Sequence, residues 1–181
     1  MRPWPLRPST SVMNETTRPA TWEDVLHVAR LLQKHGARFV LVGGYALAAH
    51  GYVRATVDID FGVAPDPENS RRWVLALSEL PDGVARELVG EDDPFKGDHL
   101  HFIRINDEIT IDIMPRVAGL SFENLLSRAV NFHFSDAVIP VLDLQGLYLT
   151  KQNSMRPKDQ ADAMVLKQAL LRQRDTPCLN H

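Results

Sequence analysis

The stretch that decides the fold runs from Phe39 to Val63, FVLVGGYALAAHGYVRATVDIDFGV. Arg38 to Val42 is apolar enough to read as a buried strand. The pair Gly43 and Gly44 then turns the chain into a short alanine-rich helix closed by Gly51, and Val57 to Val63 reads as a second strand. Side chains alternate along a strand, so Val57, Ile59 and Phe61 are expected on one face and Asp58 and Asp60 together on the other. Carboxylates aimed at the same patch repel one another, and the usual remedies are a shared proton or a bound cation.

Upstream, Thr21 with Asp24 three residues on marks a helix start, with Trp22, Val25, Leu26, Ala29 and Leu32 at helical spacing and Gly36 as its end. Downstream, the turn APDP stops the Asp58 strand. A helix from about Glu68 to Leu80, a strand near Val84 to Val89 and a polar loop GEDDPFKGD are expected next. Two alternating runs, HLHFIRI and EITIDIM, flank Asn106 and Asp107 and read as a hairpin. In the second run Ile109, Ile111 and Ile113 face one way and Asp112 the other. If that strand neighbours the Asp58 strand, three carboxylates converge. Oxygen donors in an incomplete cage suit Mg²⁺ or Mn²⁺, which fill their coordination with water and substrate phosphate oxygens. Gly43 and Gly44, between strand and helix, are the matching phosphate cradle, because bare backbone admits close approach and free N–H groups.

The remainder reads as a helix from about Ser121, extended pieces at Val130 to Phe134 and Val138 to Val141, a helix capped by Asp143 and a last helix from about Lys158 to Arg172, with Pro157 suiting its first turn. The class is therefore α+β, a small mixed sheet with helices packed on it and helices at the C-terminus. A length of 181 residues fits one domain, expected over 21–175 with a helical segment from about 143, after a loose tail at 1–20 rich in proline. The formal charge of −3 excludes a globally basic nucleic-acid-binding surface. The lone Cys178 excludes an internal disulfide, and no run is long and apolar enough for a membrane span, so a cytoplasmic protein is expected.

The run LVGGYALAAHGYVRATVDID, with the later TIDIM, resembles the nucleotidyltransferase superfamily of DNA polymerase β-like fold, and within it the small AbiEii-type toxins. The segment LYLTKQNSMRPKDQADAMVL is similar to that group's closing helices. The resemblance covers about residues 37–166. It implies transfer of a nucleoside monophosphate from an NTP to an acceptor with release of pyrophosphate, and Mg²⁺ held by Asp58, Asp60 and Asp112. It also implies a triphosphate on Gly43, Gly44 and the amide of Tyr45, and Lys151 at the edge of the site. Arg54, Thr56, Arg156 and Lys158 are the further nucleotide-contacting candidates. The acceptor class, whether tRNA, protein or small molecule, is left open, and an antitoxin is an expected partner. Many members carry Ser or Thr where this chain has Tyr45.

Each residue has a plainer reading. Arg54 and Thr56 can brace a loop, with Arg54 pairing a carboxylate; Lys151, Arg156 and Lys158 can form a solvated helix face; Asp159 and Asp162 suit a helix's first turn. His50 reads as a cap or packing residue. His99 and His101, with Asp112, form a rival transition-metal set. A nucleotide-binding or regulatory module without catalysis is the alternative to an enzyme.

Overall fold

The computed structural model describes residues 17–96, 102–134 and 136–175. Helix α1, Trp22–Lys34, starts in a capping box in which Thr21 and Asp24 satisfy each other's backbone N–H groups, and it buries Val25, Val28, Ala29, Leu31 and Leu32. Strand β1, Phe39–Val42, is buried along its whole length. Helix α2, Gly43–Ala49, follows without a spacer, and β2, Asp58–Val63, returns antiparallel to β1. Helix α3, Pro67–Leu77, is capped by Asp66 and has proline at its first position.

Strands β3, Ile103–Asn106, and β4, Thr110–Met114, form the expected hairpin. Two-residue strands β5, Arg116–Val117, and β6, Leu120–Ser121, lead into the short helix α4, Phe122–Leu126. A second hairpin, β7 at Ala129–Phe134 and β8 at Ala137–Leu142, precedes α5, Leu144–Lys151, and α6, Pro157–Asp175. Six strands form one mixed sheet in the order β3-β4-β2-β1-β8-β7, with β2 parallel to β4 and β1 parallel to β8. One face of its middle carries Ile59, Phe61, Ile111 and Ile113, all fully buried. Phe61 meets Phe39 edge-on with ring centroids 5.3 Å apart.

Three expectations are corrected. Val84–Leu88 is a 3-10 helix, not a strand: Gly83 enters it in the left-handed region, and the buried carboxylate of Asp107 accepts from the N–H groups of Asp82 and Val84. That same contact moves the hairpin turn. Asn106 is still paired, with Thr110, and the connection is the three residues Asp107 to Ile109. The tail boundary shifts as well, because residues 18–20 are docked. The Arg18 N–H donates to the Glu108 carbonyl, the Ala20 N–H to that of Val57, and the Arg18 guanidinium forks onto Asp24 at 2.7 and 2.8 Å. Val57 precedes β2 and is about half exposed, so it does not share the burial of Ile59 and Phe61. His99, His101 and Cys178 lie outside the described residues. Among the described residues no helix is long and apolar enough to cross a membrane.

Candidate active site

Sheet register builds the site. Val42 of β1 stands opposite Asp60 of β2, Asp60 opposite Asp112 of β4, and Asp112 opposite Arg104 of β3, so four side chains form one row across four strands. Asp58 lies two residues before Asp60 on the same face. The Arg104 guanidinium closes the row: Nε donates to Asp112 Oδ1 at 2.8 Å, Nη2 donates to Asp112 Oδ2 at 2.8 Å, and the same Nη2 reaches Asp58 Oδ2 at 3.3 Å. A single nitrogen bonded to both carboxylates puts Asp58 and Asp112 side by side. The two acids hold the Arg104 guanidinium more firmly protonated than an ordinary arginine.

Asp60 is treated differently. Its carboxylate accepts no hydrogen bond among the described residues. Burial, then the charges of Asp112 and Asp58, push its carboxyl up to about 7, while Lys151 and Arg54 pull in the opposite direction without matching them. Its oxygens press against the backbone of Gly43. That residue has φ +66°, and a Cβ built on it would collide with the Asp60 carboxylate. Gly44 is crowded as well, since a Cβ there would stand 2.5 Å from Thr56 Oγ1. The two glycines are thus required by Asp60 and Thr56, and this close approach joins the strand–helix turn to the carboxylates. Val42 caps α2 with no side-chain hydrogen bond, so the first amides of the helix are not covered by a side chain.

The Tyr45 ring lies in the core, edge-on to Trp22 at 5.3 Å, and its hydroxyl donates to the Ala20 carbonyl. The phenol is therefore committed to the fold, and only the Tyr45 backbone is left for a ligand at the turn. Thr56 also braces the loop, its Oγ1 donating to the Asp58 carbonyl at 3.4 Å. Lys151 is buried at the end of α5, and its Nζ meets Asp159 at 2.7 Å and Asp162 at 3.1 Å. Asp162 also accepts from Arg54 Nε at 3.0 Å, and Ser154 Oγ donates to Asp159 at 2.7 Å. Arg54, Asp162, Lys151 and Asp159 thus make one network that ties the loop before β2 to α5 and α6. The acidic pair on α6 does more than suit the helix dipole: it compensates a buried lysine. Arg156 and Lys158 are exposed beside this network.

Arg104 is the residue that sequence reading missed. Among the described residues no three acidic, histidine or cysteine side chains are gathered to hold a metal ion by themselves. Both oxygens of Asp112 are engaged by Arg104. Asp58 and Asp60 still fit a divalent cation. Hard oxygens on one strand face, those of half-buried Asp60 without a donor among the described residues, suit an ion that takes one or two carboxylates and completes its shell with phosphate and water. His50 is structural: its Nε2 lies 2.9 Å from the Leu142 carbonyl and its ring packs edge-on to Phe132.

The family model described as "Nucleotidyl transferase AbiEii toxin, Type IV TA system" matches residues 28–168. No curated protein matches the chain. Among solved structures, that of a candidate nucleotidyltransferase from Thermotoga maritima superposes over 88% of this chain and 98% of its own, with a TM-score of 0.53 and 20% identity. At that identity the likeness is one of fold. The family match is broader in meaning, because it spans the glycine pair, all three aspartates and the Lys151 network. The chain belongs to the AbiEii nucleotidyl transferase toxin family of type IV toxin–antitoxin systems.

Proposed function

We propose that the protein is a metal-dependent nucleotidyltransferase that moves a nucleoside monophosphate from an NTP to an acceptor hydroxyl and releases pyrophosphate, with RNA such as tRNA as the first acceptor to test and an antitoxin as its protein partner. The observation that carries this reading is the close approach of Asp60 to the Gly43 backbone, which brings the carboxylate pair next to the uncapped start of α2. Asp58 and Asp60 would hold Mg²⁺ or Mn²⁺. When bound, the cation supplies positive charge for the triphosphate and for the developing leaving oxygen.

This chain's own residues do the rest. Backbone N–H groups at Gly43, Gly44 and Tyr45, left without a side-chain cap, would bind phosphate oxygens. Lys151 and Arg54 lend positive potential from behind Asp60, within reach of its carboxyl by charge although paired with α6. Asp112 would accept the proton of the attacking hydroxyl or join the cation's shell, in either role only after the Arg104 fork has left its oxygens. Arg156 and Lys158, exposed at the start of α6, are the residues offered to an RNA backbone. Tyr45 gives no ground for a disabled enzyme, because the cradle uses its amide and not its side chain. Calorimetric titration with each NTP tests the reading. Binding should require Mg²⁺ or Mn²⁺ and should be lost in the Asp58→Asn, Asp60→Asn double variant; equal affinity in parent and double variant would show the pair to be structural.

A further inference from the structure

Backbone register sets where the Arg104 side chain leaves the sheet. Arg104 and Asp112 are direct cross-strand partners in the β3–β4 ladder, so their Cβ atoms stand on one face at the closest spacing a sheet allows. The fork engages both Asp112 oxygens and one of Asp58. Asp112 is nearly buried, its side chain 10% exposed, whereas that of Arg104 is 42% exposed, since β3 is the edge strand. The guanidinium therefore borders solvent while it holds the acids, and in that same position its Cζ lies 5.6 Å from the centre of the exposed Phe102 ring.

A guanidinium and a divalent cation seek the same carboxylate lone pairs, and they cannot share them at full strength. We propose that Arg104 is the resident counter-cation of the site, holding Asp112 and Asp58 in the metal-free protein, and that a divalent ion must displace it to bring those two carboxylates into its shell. This deepens the nucleotidyltransferase reading and rests on it. It makes Arg104 a positioning residue that keeps the empty site from repelling itself apart and lowers its affinity for free metal. Loading then depends on the further oxygens and charge that arrive with a nucleotide triphosphate. It also accounts for the three aspartates forming no ready metal cage.

The test is Mn²⁺ binding without nucleotide, followed by electron paramagnetic resonance of the free ion, on the full chain. Arg104→Gln should bind Mn²⁺ at least tenfold more tightly than the parent, and Arg104→Lys, which keeps the charge but loses the fork, should fall between. If Arg104→Gln does not fold without metal, Arg104→Lys carries the comparison, with at least threefold tighter binding expected. Equal or weaker binding in folded Arg104 variants, with binding still abolished by Asp60→Asn, would overturn the role of Arg104 and leave the metal site standing. No Mn²⁺ binding to parent or variants at millimolar ion would overturn the metal site itself, and this inference with it.

Discussion

Arg104 stands directly opposite Asp112 across the β3–β4 ladder and grips both of its carboxylate oxygens at 2.8 Å. On the other side of Asp112 the next strand presents Asp60, whose carboxylate has no donor among the described residues. One row of the sheet thus holds an acid gripped by a guanidinium beside a half-buried one with no protein donor among the described residues. This asymmetry sets most of the expected behaviour of the site.

The first prediction concerns pH. In the metal-free protein Asp60 has a folded-state value raised to about 7. An acid raised on folding contributes stability that is fully present below its unfolded value, near 4, and is lost as pH rises through 7. Asp60→Asn removes that loss. Melted in a chelator, the variant should exceed the parent by up to about 4 kcal/mol at pH 8 and lose this advantage toward pH 4. A parent whose stability rises between pH 5 and 8 as fast as that of the variant would contradict the strained acid.

Gly43 is the second. Alanine there takes a left-handed backbone, which costs about 1–2 kcal/mol, and drives its Cβ into Asp60. Gly43→Ala should therefore lose metal-dependent NTP binding along with stability. Gly44→Ala meets Thr56 instead and should disturb the loop before β2 more than the carboxylates. Thermal melts and calorimetry on the pair separate the two effects.

Third, Lys151 and Asp162 are both buried and paired. Removing one member of a buried ion pair costs about 3–5 kcal/mol, and because Arg54 stays on Asp162 the loss here should fall at the lower end of that range. Lys151→Met should show a loss of that order by chemical denaturation, with a substantial part recovered when Asp162→Asn is added. A loss below about 1 kcal/mol in the single variant would indicate a solvated lysine, as for an exposed pair.

Tyr45→Phe provides the fourth. Losing the hydrogen bond to the Ala20 carbonyl should cost about 1 kcal/mol. NTP affinity should stay within twofold, because the phenol faces the core. A tenfold loss of affinity with little change in stability would place the hydroxyl on the phosphates.

Much of this was legible in the sequence. The alternation DID and the run TIDIM told which aspartates share a face, Gly43 and Gly44 marked the strand–helix turn, and Thr21 and Asp143 announced helix starts by side-chain chemistry. Arg104 was hidden by one turn. A two-residue connection at Asn106 and Asp107 would set Asp112 opposite His101. The actual three-residue connection sets it opposite Arg104, because Asp107 is drawn away to cap the 3-10 segment. Long-range register of this kind is fixed by a tertiary contact that no local pattern announces. The Lys151 network escaped for a similar reason: Arg54 and Asp162 are 108 residues apart, and their first-turn and loop chemistry reads the same whether or not they meet.

The most direct test of the central claim is transfer itself. The protein is incubated with each α-labelled NTP, Mg²⁺ and total cellular RNA, and the RNA and protein fractions are resolved. The account predicts label on a macromolecule with release of pyrophosphate, dependent on the divalent ion and absent in the Asp58→Asn, Asp60→Asn variant. Label that persists in that variant, or a parent that binds Mg²⁺ and NTP yet labels neither RNA nor protein, would contradict it.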